Sequence, residues 1–149
     1  MTKMTLQTPR FGELEYDESD VITFESGLVG FPHLREFVFI EHKPGSAFRW
    51  MQSLDTPEIA YLVVDPARYV ADYEPDLPAV WAHALALDEA TPRLVYTIVN
   101  IPTGQPQLMT MNLAGPLLIN VANRKAGQIV LEDEVFSIRH RVFPDSAAA

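Results

Sequence analysis

Residues 48–66, FRWMQSLDTPEIAYLVVDP, contain two apolar runs separated by a turn. In the first run, Phe48, Trp50 and Leu54 share one face of an extended chain, which is the period-two pattern of a strand. Ile59–Val64 is continuously apolar and ends at Asp65 and Pro66. The Asp, Thr and Pro of residues 55–58 form a turn signal. The stretch therefore predicts a β-hairpin that turns across residues 55–58.

Proline limits what the rest of the chain can form. The 12 prolines are about 8% of the 149 residues, against a usual value of about 5%. Because proline interrupts helix interiors, only the gaps 79–91 and 117–143 could hold a substantial helix. The first gap overlaps an amphipathic stretch, Leu77–Leu87, which we predict as a helix capped by Asp76, with Trp81 on its apolar stripe. The proline spacing therefore favours a strand-rich fold over a helical bundle.

Short alternating or apolar runs bounded by turn residues recur along the chain, and we predict each of them as a strand. Residues 123–127 are predicted as a polar turn, and residues 145–149 as a frayed tail. The fold class is mainly β: a small antiparallel β-barrel or sandwich of about nine short strands with one short helix, in a single domain spanning 1–149. Besides the hairpin strands, the predicted strands are Phe11–Asp17, Val21–Phe24, Phe37–Ile40, Leu94–Ile101, Gln107–Leu113, Leu117–Val121, Ile129–Leu131 and Val135–Val142.

Composition excludes several classes of protein. The chain has 20 acidic and 11 basic side chains, a formal net charge of −9, whereas nucleic-acid binding requires a clustered positive surface. The absence of cysteine excludes disulfides and thiolate sites. No apolar run approaches the roughly 18 residues of a membrane span, and the first ten residues lack a signal-peptide core. The expected location is the cytoplasm.

Residue patterns of catalysis and metal binding are mostly missing. The four histidines have no metal-ligand spacing, and there is no phosphate-binding glycine loop. Asp55 and Asp65 could pair for acid–base chemistry, but an aspartate beside a proline turn more often caps its own backbone. Asn112 and Asn120, at strand ends, are similarly expected to hold turns. His140, predicted on an apolar strand face, is expected to be a structural residue.

The acidic surplus is confined to the first part of the chain. Residues 1–89 hold 16 acidic and 6 basic side chains, whereas residues 90–149 hold 4 and 5. Such a distribution can simply keep a small apolar domain in solution. It can also form an acidic face that attracts a basic partner and speeds the encounter.

Motifs in a fixed order give the chain a family resemblance. From about Phe11 to His140, the chain resembles the FliW flagellar assembly factor family. It departs from that pattern at Pro32, where an acidic residue is expected, and at Gly115, where alanine is expected. The stretches that carry the resemblance are FGEL at 11–14, ITF at 22–24, GLVGF at 27–31, Phe37, MQSLDTP at 51–57, Ala60, Asp65 with Pro66, NLAGPLLIN at 112–120, Gly127 with Gln128, and FSIRH at 136–140.

The resemblance implies a small β-barrel-like regulator with no catalytic residue and no cofactor. Members of the family bind newly made flagellin near its C-terminal helical region, and they also bind the RNA-binding translational repressor CsrA. Flagellin and CsrA compete, so that export of flagellin frees the factor to sequester CsrA and translation of flagellin mRNA resumes. For partner contacts we select Asp55, Glu58 and Asp65, with Asn112 and Asn120 shaping the neighbouring loops. No direct contact with nucleic acid or membrane is expected.

Two alternatives belong to other functional classes. A small-molecule-binding β-barrel or hydrolase would use Asp55, Asp65 and His140, and it requires these side chains to converge in one concave pocket. A structural subunit of an oligomer would use the predicted strand Val135–Val142 as a pairing edge. Arg139 and Arg141 on the outward face of that strand argue against the second alternative, because charges at an edge oppose further pairing.

Overall fold

A computed structural model describes residues 3–132 and 135–144. Its strands are β1 (Lys3–Thr8), β2 (Gly12–Asp17), β3 (Ile22–Phe24), β4 (Glu36–Glu41), β5 (Phe48–Ser53), β6 (Ala60–Val64), β7 (Arg93–Asn100), β8 (Thr110–Met111), β9 (Leu117–Asn120), β10 (Lys125–Gln128) and β11 (His140–Arg141). Seven of these strands close into a barrel in the order β7-β6-β5-β4-β3-β10-β9, and β9 pairs back onto β7. Within the described residues all neighbours in the barrel are antiparallel except β10 and β3, which are parallel.

The eight-residue strand β7 closes the barrel because it has three partners along its length. Its first half pairs with β9, from Arg93 opposite Asn120 to Tyr96 opposite Leu117. Its middle pairs with β6, and its last two residues pair with β8, which in turn carries β11. Closure leaves no open edge on the barrel strands themselves. The predicted mainly β fold is confirmed.

Aromatic and aliphatic side chains fill the barrel interior. Phe24 and Phe37 are fully buried and meet edge to face, with their ring centroids 5.4 Å apart. Met51 and Leu117 are also fully buried in this cluster. A second cluster lies beneath β8 and β11, and a third lies beneath the one short helix of the described residues, α1 (Ala79–Ala84). No helix in the described residues is long and apolar enough to cross a membrane.

β1 and β2 form a separate hairpin outside the barrel sheet. Its turn is held against β5, where the Phe11 ring lies 6.0 Å from Trp50 and the Arg10 guanidinium lies 4.3 Å from the centroid of the same ring. The sequence predicted β2 but not β1. β1 is mostly exposed, so its sequence does not show the alternation of apolar and polar residues that marks a half-buried strand.

The predicted strand Ile129–Leu131 and turn 123–127 are both displaced from their true positions. Strand β10 occupies Lys125–Gln128, and residues 129–131 are irregular although Ile129 is fully buried. Ile129 N donates to Pro116 O, yet proline has no N–H to complete the next ladder pair, so the regular strand ends at Gln128.

Two predicted strands late in the chain are also largely wrong. Within Gln107–Leu113, only β8 is a strand, and it follows a 3-10 turn at Pro106–Leu108. Within Val135–Val142, only β11 is a strand, and Ile138 is 66% exposed. Apolar and polar residues alternate in that stretch, but the apolar ones do not form a buried strand face. The strand that the oligomer alternative would use as a pairing edge is therefore absent in its predicted extent. The predicted tail, residues 145–149, lies outside the described residues.

The predicted helix is present but shorter. It covers Ala79–Ala84 rather than Leu77–Leu87, and Pro78 occupies the N-cap position without a side-chain hydrogen bond, so Asp76 does not cap it. Trp81 packs in the cluster beneath the helix, as predicted. The helix stops early because Ala86 adopts a left-handed φ of 56°, which ends the helical backbone.

A tyrosine ties the segment before the helix to the connection between β8 and β9. The Tyr73 hydroxyl donates to Leu113 O at 2.6 Å, and burial raises the pKa of Tyr73 to about 12. Because the folded protein holds this proton more tightly than the unfolded chain, the stabilisation is complete below pH 10 and is lost as the pH rises through about 12.

We expect Tyr73→Phe to lower the free energy of unfolding by about 1 kcal/mol at pH 7, because it removes one hydrogen bond from a partly buried carbonyl. The variant should also lose less stability than the wild type between pH 9 and about pH 12. Urea unfolding across that pH range measures both effects. If the free energy of unfolding falls equally with alkaline pH in both proteins, the pH dependence belongs to Tyr61 and Tyr96, whose pKa values burial also raises.

Candidate partner-binding surface

Asp55 joins the β5–β6 turn to a strand far away in sequence. Its Oδ2 accepts hydrogen bonds from Arg35 N at 2.8 Å and Glu36 N at 2.7 Å, at the start of β4. The residue is exposed, but its carboxylate is already engaged by the backbone. Asp55 therefore fixes the position of the turn. A partner that contacts this carboxylate would bind it in addition to the two backbone N–H groups.

Glu58 and Asp65 differ in their availability. Glu58 is exposed, and its carboxylate makes no hydrogen bond or ion pair within the part of the chain that the structure describes. Asp65 Oδ1 accepts from Ala67 N at 3.0 Å and caps the 3-10 turn Pro66–Arg68. Of the three carboxylates selected from the sequence, Glu58 alone lies free at the hairpin turn.

The two selected asparagines hold loops, as their strand-end positions predicted. Asn112 Oδ1 accepts from Ala114 N at 3.1 Å. Asn120 is almost fully buried; its Oδ1 accepts from Ala122 N at 2.9 Å, and its Nδ2 donates to Leu85 O at 2.7 Å. The second bond crosses to the end of α1, so Asn120 fastens the helix to the barrel.

The residues of the hydrolase alternative do not meet. Asp55 precedes β6 and Asp65 follows it, so the five-residue strand, about 17 Å long, separates them. His140 lies on β11, opposite Met111. No cluster of three or more potential metal ligands exists among residues 3–132 and 135–144. The geometry therefore gives acid–base or metal chemistry by these three side chains no support.

Three acidic side chains alternate along β2: Glu13 and Glu15 are exposed, while Asp17 is half-buried. Asp17 also opens the 3-10 turn Glu18–Asp20 through a reciprocal capping box with Asp20. Hydrogen bonds from the Ser19 backbone and hydroxyl lower the pKa of Asp17. This carboxylate therefore stays charged at neutral pH.

Between the β1–β2 hairpin and one end of the barrel lies a groove of about 480 Å³. Its apolar side chains come from β2, β3, β4, β7 and β9 and from Val121 just after β9, and its acidic side chains are Glu15, Asp20 and Glu41. The sequence indicated the acidic surplus of residues 1–89 but not the groove. Its walls come from segments up to about a hundred residues apart, so no local pattern identifies it.

The two departures from the family pattern are connected in space through one glutamine. Gln128 Oε1 accepts from Val29 N in the loop that contains Pro32, and Gln128 Nε2 donates to Gly115 O. A Cβ placed on Gly115 would lie 2.7 Å from Asn112 Nδ2. Glycine therefore leaves room here for the loop-holding Asn112.

Comparison with known proteins yields one consistent family. The family model described as FliW protein matches residues 5–142. The flagellar assembly factors FliW of Moorella thermoacetica and Magnetococcus marinus are each 40% identical over 143 residues, which covers 96% of this chain and 90% and 87% of theirs. A crystal structure of the flagellar assembly factor FliW superposes with a TM-score of 0.87 at 28% identity, over 96% of this chain and 99% of the other.

Proposed function

The chain belongs to the FliW family of flagellar assembly factors, and from that membership we propose that it works by exchanging two protein partners, flagellin and the translational repressor CsrA. Bound to flagellin, it leaves CsrA free to repress flagellin mRNA. Released when flagellin is exported, it sequesters CsrA and translation resumes. The action needs no catalysis and no cofactor, and it takes place in the cytoplasm.

The observation that best supports this proposal is the exposed acidic surface near the N-terminus. Between residues 13 and 41, seven carboxylate side chains are exposed, while the basic side chain in that range is Arg35. An RNA-binding repressor must present basic surface to phosphates, and an acidic protein can engage that surface directly. The exposed carboxylates are Glu13, Glu15, Glu18, Asp20, Glu25, Glu36 and Glu41.

Co-purification with each partner tests the exchange. We expect the protein to form a complex with flagellin and with CsrA at micromolar concentrations, and we expect excess flagellin to release CsrA. If both complexes form but excess flagellin does not release CsrA from the protein, the exchange is contradicted. Absence of both complexes would contradict the proposal as a whole.

Glu58 tests the predicted contacts at the hairpin turn. We expect Glu58→Lys to slow association with CsrA by about tenfold at low salt and to weaken its salt dependence, because an accessible charge mainly affects the encounter rate. Glu74→Lys, an equal charge change at another exposed position, is the control. Asp55→Lys is a poor test, since it would also break two backbone hydrogen bonds. Equal association rates for the two lysine variants would remove Glu58 from the contact surface.

A further inference from the structure

We infer that the groove between the β1–β2 hairpin and the barrel holds an amphipathic, positively charged segment of a protein partner. The inference rests on the proposed function in one respect, that the chain acts by holding protein partners. It adds a location that the five residues selected from the sequence do not include, and it specifies the chemistry of the segment.

The apolar part of the groove continues from the barrel core to the surface. Ile22 and Ile119 are buried in the core cluster and also line the groove, with Phe39 beside them. Leu94 is 39% exposed and Val121 is 44% exposed where the groove opens. Large apolar side chains exposed together beside a concavity indicate a binding surface.

The charge that an approaching molecule meets at the rim is negative. The side chains of Glu15 and Glu41 are 63% and 59% exposed, and Asp20 is exposed as well; Glu15 lies 3.7 Å from the ammonium of Lys3. The basic side chains of the groove are less accessible: Arg49 is 38% exposed and lies 4.0 Å from Glu41, and the Nε of Arg124 is buried. Apolar side chains surrounded by accessible carboxylates complement a segment that has apolar residues on one face and basic residues at its margins.

A polypeptide suits the groove, because one segment can carry apolar and basic side chains together. Nucleic acid does not fit, because the exposed carboxylates would repel its phosphates.

A fluorescein-labelled 14-residue peptide of leucine and lysine in helical spacing is the probe. We expect it to bind the wild-type protein, and we expect the leucine–glutamate counterpart to bind at least about tenfold more weakly. The double substitution Glu15→Lys with Glu41→Lys, which spares the capping carboxylate of Asp20, should weaken lysine-peptide binding by about tenfold or more. The matched control, Asp72→Lys with Glu74→Lys at exposed positions that do not line the groove, should stay within about twofold.

Val121→Ser is a second test of the groove, and it leaves the charge of the protein unchanged. It should weaken binding of the lysine peptide by about threefold, since the exposed part of one valine side chain no longer becomes buried. Circular dichroism and urea unfolding establish that each variant is folded. If Val121→Ser leaves binding unchanged, or if the groove and control double variants lose affinity equally, the inference is overturned.

The inference and the proposed function fail in different ways. One result is that the groove double variant loses lysine-peptide binding while the wild-type protein captures neither flagellin nor CsrA. That result would support the groove as a binding site and would overturn the partner exchange. Capture of both partners by the wild type, with peptide binding insensitive to all groove substitutions, would support the exchange and overturn the groove.

Discussion

Replacing Asn120 by alanine is expected to lower the free energy of unfolding by about 2 kcal/mol, because the substitution removes two hydrogen bonds between a buried side chain and the backbone. The Asn120 side chain binds Leu85 O at 2.7 Å and Ala122 N at 2.9 Å, and Asn120 itself is 2% exposed. Leu85 O has a second donor, Asn123 Nδ2 at 3.2 Å, and Ala122 is exposed, so the cost stays below that of two unsatisfied buried groups. The midpoint and slope of urea unfolding measure the effect, and the slope should stay unchanged.

Asn100→Ala is the matched control, since Asn100 ends a strand of the same barrel but is exposed. We expect this variant to stay within about 0.5 kcal/mol of the wild type. Asn120→Asp keeps the acceptor for Ala122 N but loses the donor to Leu85 O and introduces a buried charge, so it should be no more stable than Asn120→Ala. An Asn120→Ala protein as stable as the Asn100→Ala protein would show that the hydrogen bonds of Asn120 do not stabilise the attachment of the helix to the barrel.

The hairpin of residues 48–66 shows what the sequence could predict. An alternating apolar pattern, a proline turn and an apolar run are local features, and β5 and β6 pair as they indicate, with Phe48 opposite Val64 and Gln52 opposite Ala60. Burial along β5 does not alternate, because its last three residues are all buried. The family was also predictable, because ordered motifs over some 130 residues are rarely shared by chance; the matching family model and the 40% identical relatives confirm it.

Partners distant in sequence explain what the sequence could not predict. The side chain of Asn120 holds the next turn, as its strand-end position indicated, but its second bond reaches Leu85, 35 residues earlier. Asp55 was expected to cap its own turn and instead holds β4, about 20 residues earlier. Local rules identify a residue that can hold a turn, but they do not say which strand the fold brings beside it.

The same limit applies to the binding surface. The selected residues Asp55, Glu58 and Asp65 cluster in sequence around one hairpin, whereas the groove takes its rim from β2, from the 3-10 turn that follows it and from β4. Exposed carboxylates become a site only where the fold places apolar side chains beside them. Net charge therefore indicates the charge expected of a partner, but it does not locate the groove.

We expect Gly127→Ala to lower the free energy of unfolding by about 2 kcal/mol, although glycine within a strand is usually the less stable choice. Relieving backbone entropy should contribute roughly 0.5–1 kcal/mol in favour of alanine. Against this, a Cβ on Gly127 would lie 2.0 Å from Cζ3 of Trp81 and 2.7 Å from its Cε3. Overpacking against a rigid ring costs about 1–3 kcal/mol, and the clash is severe enough for this cost to prevail. Urea unfolding gives the sign directly.

A double-mutant cycle with Trp81→Ala separates the clash from any intrinsic effect of the methyl group. Trp81 packs with Leu85, Leu118 and Ile129, so its removal should itself cost about 3 kcal/mol. In that background the ring is absent and the added methyl meets open space, so Gly127→Ala should be neutral or stabilising by up to about 1 kcal/mol. An equal cost in both backgrounds would place the strain in the β10 backbone. A reversal of sign would mean that Gly127 is needed here because Trp81, and with it α1, packs directly onto the barrel strand.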